Sequence, residues 1–127
     1  MLGKLGFIVL LVALVAVPGL NGEKVASAQT RTRLVANGNS GAMKFRARYE
    51  ERGSKRKFNF QLEKGQAGQV VTVKAGSVVV GTATVNNLRR AAFELQTERG
   101  QAVPAMSSGT TISVWIGGVQ VMSGNLR

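Results

Sequence analysis

Three amino-acid types are missing from the 127-residue chain, which contains no cysteine, no histidine and no aspartate. Without Cys and His, the usual side-chain ligands of zinc, copper and haem iron are absent, and so are Ser-His, Cys-His and dithiol redox chemistry. Without Asp, the carboxylate pattern of typical calcium loops does not form. We therefore expect a protein that is not an enzyme and that uses no metal or cofactor.

Positive charge is what the chain has in excess. It carries 17 Lys and Arg against six acidic residues, for a formal net charge of +11. Between Gln29 and Lys57 there are nine basic residues and two Glu, whereas from Phe58 to Arg127 there are six and three. The charge is therefore concentrated in the first part of the chain, where it attracts anions.

The N-terminus has the pattern of an export signal. A single Lys precedes the apolar run Phe7–Val17, which is shorter than the ~20 residues of a membrane span but fits the ~7–15 of a secretory signal helix. Ala26 and Ala28 occupy the small-residue positions of a cleavage site. We predict a signal peptide over residues 1–28 and one exported domain, periplasmic or extracellular, over 29–127. An uncleaved N-terminal anchor is the alternative.

Two segments, Met43–Glu50 and Lys57–Glu63, alternate apolar and polar side chains with the period of a half-buried strand. Gly53 and Ser54 between them fit a two-residue type II′ turn, which prefers Gly in first position. This turn places apolar against apolar and acid against base: Tyr49 with Phe58, Ala47 with Phe60, Phe45 with Leu62, Glu50 with Lys57, and Lys44 with Glu63. The sequence predicts a hairpin with one buried face and one cationic face.

Seven cations of this hairpin are candidate anion contacts: Lys44, Arg46, Arg48, Arg52, Lys55, Arg56 and Lys57. They predict binding of a polyanion such as an acidic polysaccharide, lipid phosphate or extracellular nucleic acid. The alternative is a solvated face that protects a sheet edge from aggregation. Sequence-specific DNA recognition is not expected, because no helix is available for the major groove and export separates the protein from the genome.

A second hairpin pattern occurs twice. Segment Gly68–Val85 aligns without gaps to Gly109–Leu126, and each copy has a strand, a glycine turn and a second strand. Turns at Gly76-Ser77 and Gly117-Gly118 predict two pairs, Val73 with Val80 and Val114 with Val121.

The remaining segments complete an all-β pattern. Thr30–Ala36 predicts an edge strand followed by a loop over the NGNSG sequence, and Ala91–Gln96 predicts another short strand. About 7–8 short strands without helical spacing indicate a small antiparallel β-sandwich or partly open barrel.

Trp115 is the single tryptophan. The predicted pairing places it opposite Gln120 on an outer face, where Lys74 is its counterpart in the other copy. Such a residue is a candidate contact for a sugar or a partner protein, and the alternative is that a loop or Met122 covers it. A second function therefore stays open, a structural or protein-interaction subunit of the envelope that uses an edge strand or Trp115.

The order of these motifs resembles that of small exported bacterial proteins that have no known activity. The resemblance covers most of the chain after residue 28 and implies export and a single β domain. It lies in turn and core positions: Arg52, Gly53, Phe58, Phe60, Val71, Val73, Gly81, Thr82, Phe93, Leu95, Thr97, Val103, Pro104, Ser123 and Gly124.

Overall fold

A computed structural model describes residues 30–127, and the predicted signal peptide lies outside the described residues. Residues 30–127 contain eight strands: β1 (Arg31–Ser40), β2 (Met43–Arg52), β3 (Lys55–Glu63), β4 (Val70–Ala75), β5 (Val78–Thr84), β6 (Ala91–Gln96), β7 (Thr111–Ile116) and β8 (Val119–Asn125). A short 3-10 helix, Thr97–Arg99, follows β6. Within the described range, no helix has the length and apolar character needed to span a membrane.

The strands form two antiparallel sheets of four. The first has the order β1-β2-β3-β6 and the second β5-β4-β7-β8. Their inner side chains share one core, whose largest fully buried members include Tyr49, Phe58 and Phe60 from the first sheet and Ile112 and Val114 from the second. The predicted all-β fold is confirmed as two packed sheets, without closure into a barrel.

The first hairpin has the predicted register. All five predicted pairs are observed, from Tyr49 opposite Phe58 to Lys44 opposite Glu63. Gly53 has a φ of 60°, which the first position of a type II′ turn requires and which glycine adopts without steric cost. The pairing of β2 with β3 therefore follows from the turn and the alternation together.

The first strand is longer than predicted. The NGNSG segment was expected to be a loop, but β1 continues to Ser40 and pairs with β2 along its whole length, so the turn moves to Gly41 and Ala42. The expectation was wrong because the backbone ladder with β2 outweighs the low strand preference of Asn and Gly. Gly38 also has a packing role, since a Cβ there would lie 2.6 Å from the carbonyl oxygen of Ser123.

The two later hairpins each contain a β-bulge that the sequence did not reveal. Val73 pairs with Gly81 instead of Val80, and Val114 pairs with Met122 instead of Val121. One extra residue shifts the in-and-out alternation of the rest of the strand. After the shift, Val85 and Leu126 are buried, whereas unshifted strands would have turned polar residues toward the core.

The sheets meet along a seam between β1 and the end of β8. Val35 and Arg127 exchange two backbone hydrogen bonds, with N to O distances of 3.0 and 3.1 Å. Gly124 lies against the backbone of Asn37, where a Cβ would overlap the carbonyl group. The seam therefore depends on a glycine at position 124.

The connection between β6 and β7 covers one end of the core. Val103 and Met106 of this segment are buried, and Arg56 Nε donates a hydrogen bond to the Val103 carbonyl at 2.8 Å. Nearby, the Tyr49 hydroxyl donates to the Glu51 carboxylate. Burial, reinforced by this hydrogen bond, raises the pKa of Tyr49 above its ordinary value of 10.0.

Substituting Gly124→Ala should destabilise the domain by about 3 kcal/mol, since the new methyl group meets backbone atoms that have no rotamer by which to move away. Urea denaturation followed by Trp115 fluorescence measures the change. Ser123→Ala, at the neighbouring exposed position, is the control and should change stability by less than about 0.5 kcal/mol. Equal stabilities of the two variants would contradict the packing described for the seam.

Stability should fall in alkaline solution through Tyr49. The folded state holds the phenolic proton more tightly than the unfolded state, so this contribution is complete below pH 10 and is lost as the pH rises through the folded pKa. Tyr49 is the single tyrosine, so absorbance at 295 nm reports its ionisation alone. The titration of this absorbance in the folded protein should have its midpoint above pH 10.0. The Tyr49→Phe variant should lose less stability between pH 9 and 11 than the parent chain. A midpoint at or below 10.0 in the folded protein would contradict the assignment.

Candidate functional site

The outer face of the first sheet presents most of the predicted cations. On β2, Phe45, Ala47 and Tyr49 are buried, so the even-numbered residues between and beyond them point outward. Lys55 and Lys57 of β3 occupy the same face, because Phe58, Phe60 and Leu62, which alternate with the odd-numbered residues, are turned to the core. Six of the seven predicted residues are therefore on one surface: Lys44, Arg46, Arg48, Arg52, Lys55 and Lys57.

Arg56 is the exception. It alternates with Lys55 and Lys57 and so belongs to the inner face of β3, where its Nε atom bonds the Val103 carbonyl. Its backbone N–H also donates to Thr97 Oγ1 at 2.9 Å. Arg56 therefore holds the β6–β7 connection in place, on the opposite face of the sheet from the other six cations.

Ion pairs divide the cationic face into two halves. On the β3 and β6 side, Lys57 Nζ lies 3.6 Å from Glu94 and Lys55 Nζ lies 3.2 Å from Glu98. Arg99 also approaches Glu94, at 4.0 Å. The positive charge of this half is largely compensated within the protein.

The β1 and β2 half is not compensated in the same way. Arg33 pairs with Glu50 at 3.7 Å, but five cations of this half have no salt bridge to any residue in the described part of the chain. We call them the cationic strip: Arg31, Lys44, Arg46, Arg48 and Arg52. The prediction missed Arg31 and Arg33, although their alternation with buried Leu34 and Ala36 was the signal that places them on this face.

Two arginines of the strip face each other directly. Arg31 is the cross-strand partner of Arg52, and like charges in this position destabilise a sheet. A bound anion between them would relieve that repulsion. The strip therefore contains unbalanced charge that an external ligand is suited to neutralise.

The centre of the strip has neutral neighbours. Arg46 lies between Asn37 and Gln61, and Arg48 lies between Val35 and Asn59. Strand geometry separates Arg46 from Arg48 by about 7 Å, and Lys44 from Arg52 by about 27 Å. A ligand that contacts the whole strip must therefore be extended.

Aromatic side chains are turned away from this surface. Phe45, Tyr49, Phe58 and Phe60 are buried, and Phe93 stacks on Phe60 with ring centroids 5.4 Å apart. The strip is thus able to attract and hydrogen-bond anions, but it has no ring on which a nucleic-acid base could stack. In residues 30–127, no group of three or more His, Cys, Asp or Glu side chains is arranged to hold a metal ion.

Trp115 lies on the outer face of the other sheet and is half-buried. Its Nε1 donates to Ser113 Oγ at 2.9 Å, and Lys74 Nζ lies 4.1 Å from the ring centroid. The predicted pairing with Gln120 is confirmed, and Met122 is buried on the opposite, inner face. The donor and one face of the ring are engaged within the protein, and the structure does not bring Trp115 together with the strip.

Comparison with known proteins assigns no family to this arrangement. No protein-family model matches the chain, and a search of curated proteins finds no significant match.

Proposed function

We propose that this chain is a non-enzymatic, exported β-sandwich module that holds an anionic polymer of the cell envelope or matrix against the cationic strip. The observation that carries the proposal is the set of five basic side chains that form no salt bridge with any acidic group in the described residues. Long-range attraction and release of counterions would supply the binding free energy.

The position of the strip argues against a purely protective role. Charges that guard against aggregation belong on edge strands, where backbone groups are unpaired. Four of the five cations lie on β2, which pairs with β1 on one side and β3 on the other. An interior strand has no free edge to protect, so ligand binding accounts better for the charge there.

Export places the proposed ligand outside the cytoplasm. The predicted signal peptide supports a periplasmic or extracellular location, where acidic polysaccharides, lipid phosphates and released nucleic acids are the available polyanions. Sequence-specific DNA is not among them, because the described residues offer only a three-residue 3-10 helix for the major groove and export separates the protein from the genome.

A protein-interaction role is the second candidate, and an edge strand favours it. Strand β5, VVVGTAT, lies at an edge of the second sheet and contains neither a charged residue nor proline. Val78 and Val79 are 52% and 54% exposed. An uncharged edge of this kind is suited to strand addition by an extended partner segment.

Removing two cations from the centre of the strip should weaken polyanion binding. For Arg46→Ala/Arg48→Ala we expect at least a tenfold loss of affinity for heparin, used as a polysulfated probe, in 50 mM salt. The slope of log K against log salt should become shallower by about 2, because two fewer counterions are released.

The double variant Lys55→Ala/Lys57→Ala is the matched control. It removes the same two charges from the same face, but from residues already paired with Glu98 and Glu94. The logarithm of its affinity for heparin should fall by less than half as much as that of the Arg46→Ala/Arg48→Ala variant. Equal losses would indicate diffuse attraction by net charge, and unchanged binding by the Arg46→Ala/Arg48→Ala variant would exclude the strip.

The edge-strand candidate makes a separate prediction. If β5 pairs with a partner protein, one stoichiometric partner should be recovered from envelope extract by the parent chain, and Val79→Lys should abolish that recovery because a charge at the edge opposes strand addition. Trp115→Ala tests the other outer face in the same assay. Recovery that survives Val79→Lys would exclude β5 as the contact.

A further inference from the structure

A groove of about 400 Å³ runs along the seam where β1 meets the end of β8. Its lining residues, which define the seam groove, are Val35, Asn37, Ser123, Gly124, Asn125 and Arg127. The floor is fixed by the paired hydrogen bonds between Val35 and Arg127 and by the close contact of Gly124 with Asn37. The backbone beneath this open groove is therefore held in place by the seam.

The seam groove and the cationic strip share a border. Asn37, which lines the groove, is the cross-strand partner of Arg46, and Val35 is the partner of Arg48. A ligand seated in the groove would lie next to the strand positions of both arginines, and Arg127 is itself a lining residue. One chain of repeating units could therefore occupy the groove and neutralise the centre of the strip together.

The lining of the groove favours hydroxyl groups as partners. Asn37, Ser123 and Asn125 are exposed and supply amide donors, amide acceptors and a hydroxyl group. The Asn125 side-chain oxygen already accepts a hydrogen bond from Thr111 Oγ1 at 2.9 Å, which fixes its orientation and leaves its NH₂ group to donate.

The same surroundings are poorly suited to the other two polyanion classes. Binding of single-stranded nucleic acid uses aromatic platforms, and no aromatic residue lines the groove. Insertion into a lipid surface uses exposed apolar side chains, but the large exposed ones are elsewhere: Val70, Val78, Val79, Leu88 and Val119.

We propose that the seam groove binds the hydroxyl-bearing units of an acidic polysaccharide whose anionic groups contact Arg46 and Arg48. This inference rests on the proposed function, because the groove supplies selectivity to a surface whose attraction is electrostatic. The groove inference selects acidic polysaccharide over lipid phosphate and nucleic acid, which the charge of the strip alone does not distinguish.

The test removes groove amides without changing charge. Affinities are measured by calorimetry for polygalacturonate, oligo(dT) and phosphatidylglycerol vesicles at equal concentrations of anionic groups. Asn37→Ala/Asn125→Ala should bind polygalacturonate about five- to tenfold more weakly, as expected for two lost hydrogen bonds. Asn59→Ala/Gln61→Ala is the matched control, because these amides flank the same arginines on the β3 side, and it should bind within twofold of the parent chain.

The outcomes separate the groove from the strip. If Asn37→Ala/Asn125→Ala binds polygalacturonate like the parent while Arg46→Ala/Arg48→Ala loses binding, the groove inference is overturned and the proposed function stands. If neither pair changes binding, both are overturned. Tighter binding of oligo(dT) or of the vesicles than of polygalacturonate would also overturn the assignment to a polysaccharide.

Discussion

The structure depends on the strict two-residue alternation of β2 and β3 around the turn at Gly53 and Ser54. Burial of Phe45, Phe58 and Phe60 on one side fixes the register, because a one-residue slip would exchange the core for the solvent. The same constraint aligns Arg46 and Arg48 on the outer side. The apolar core and the cationic surface are thus two consequences of one register.

The rest of the fold gives that surface its uneven charge. Strand β6 comes from a distant part of the chain and brings Glu94 beside Lys57, while the following 3-10 helix brings Glu98 beside Lys55. Strand β1 on the other side brings two arginines and no acid. The bulge in β8 turns Gly124 toward the seam, where it allows β1 to approach closely enough to form the groove.

The parts predicted correctly are those determined by neighbours in the sequence. The β2–β3 register follows from a two-residue turn and five matched pairs, and the β6 strand from its composition. The bulges were missed because one extra valine in each strand does not disturb the pattern of side chains around it. The signal that could have revealed them is that Val85 and Leu126, which are buried, stand at positions that an unshifted strand would turn to solvent. The inner-face position of Arg56 follows from the same alternation that buries Phe58 and Phe60. Its hydrogen bond to Val103 and the neutralisation of Lys57 by Glu94 depend on segments about 40 residues away, which no local pattern specifies.

We expect ligand binding to be local to the β1–β2 half of the first sheet and the adjoining seam. The most direct test is an NMR titration of the arginine Nε–Hε and asparagine side-chain signals with polygalacturonate oligomers. Saturable shifts are expected for Arg46, Arg48 and Asn37, with the Arg56 signal unchanged because its Nε atom donates a hydrogen bond to the Val103 carbonyl. Shifts centred on the Trp115 indole, or none on the β2 arginines at saturating ligand, would contradict this expectation.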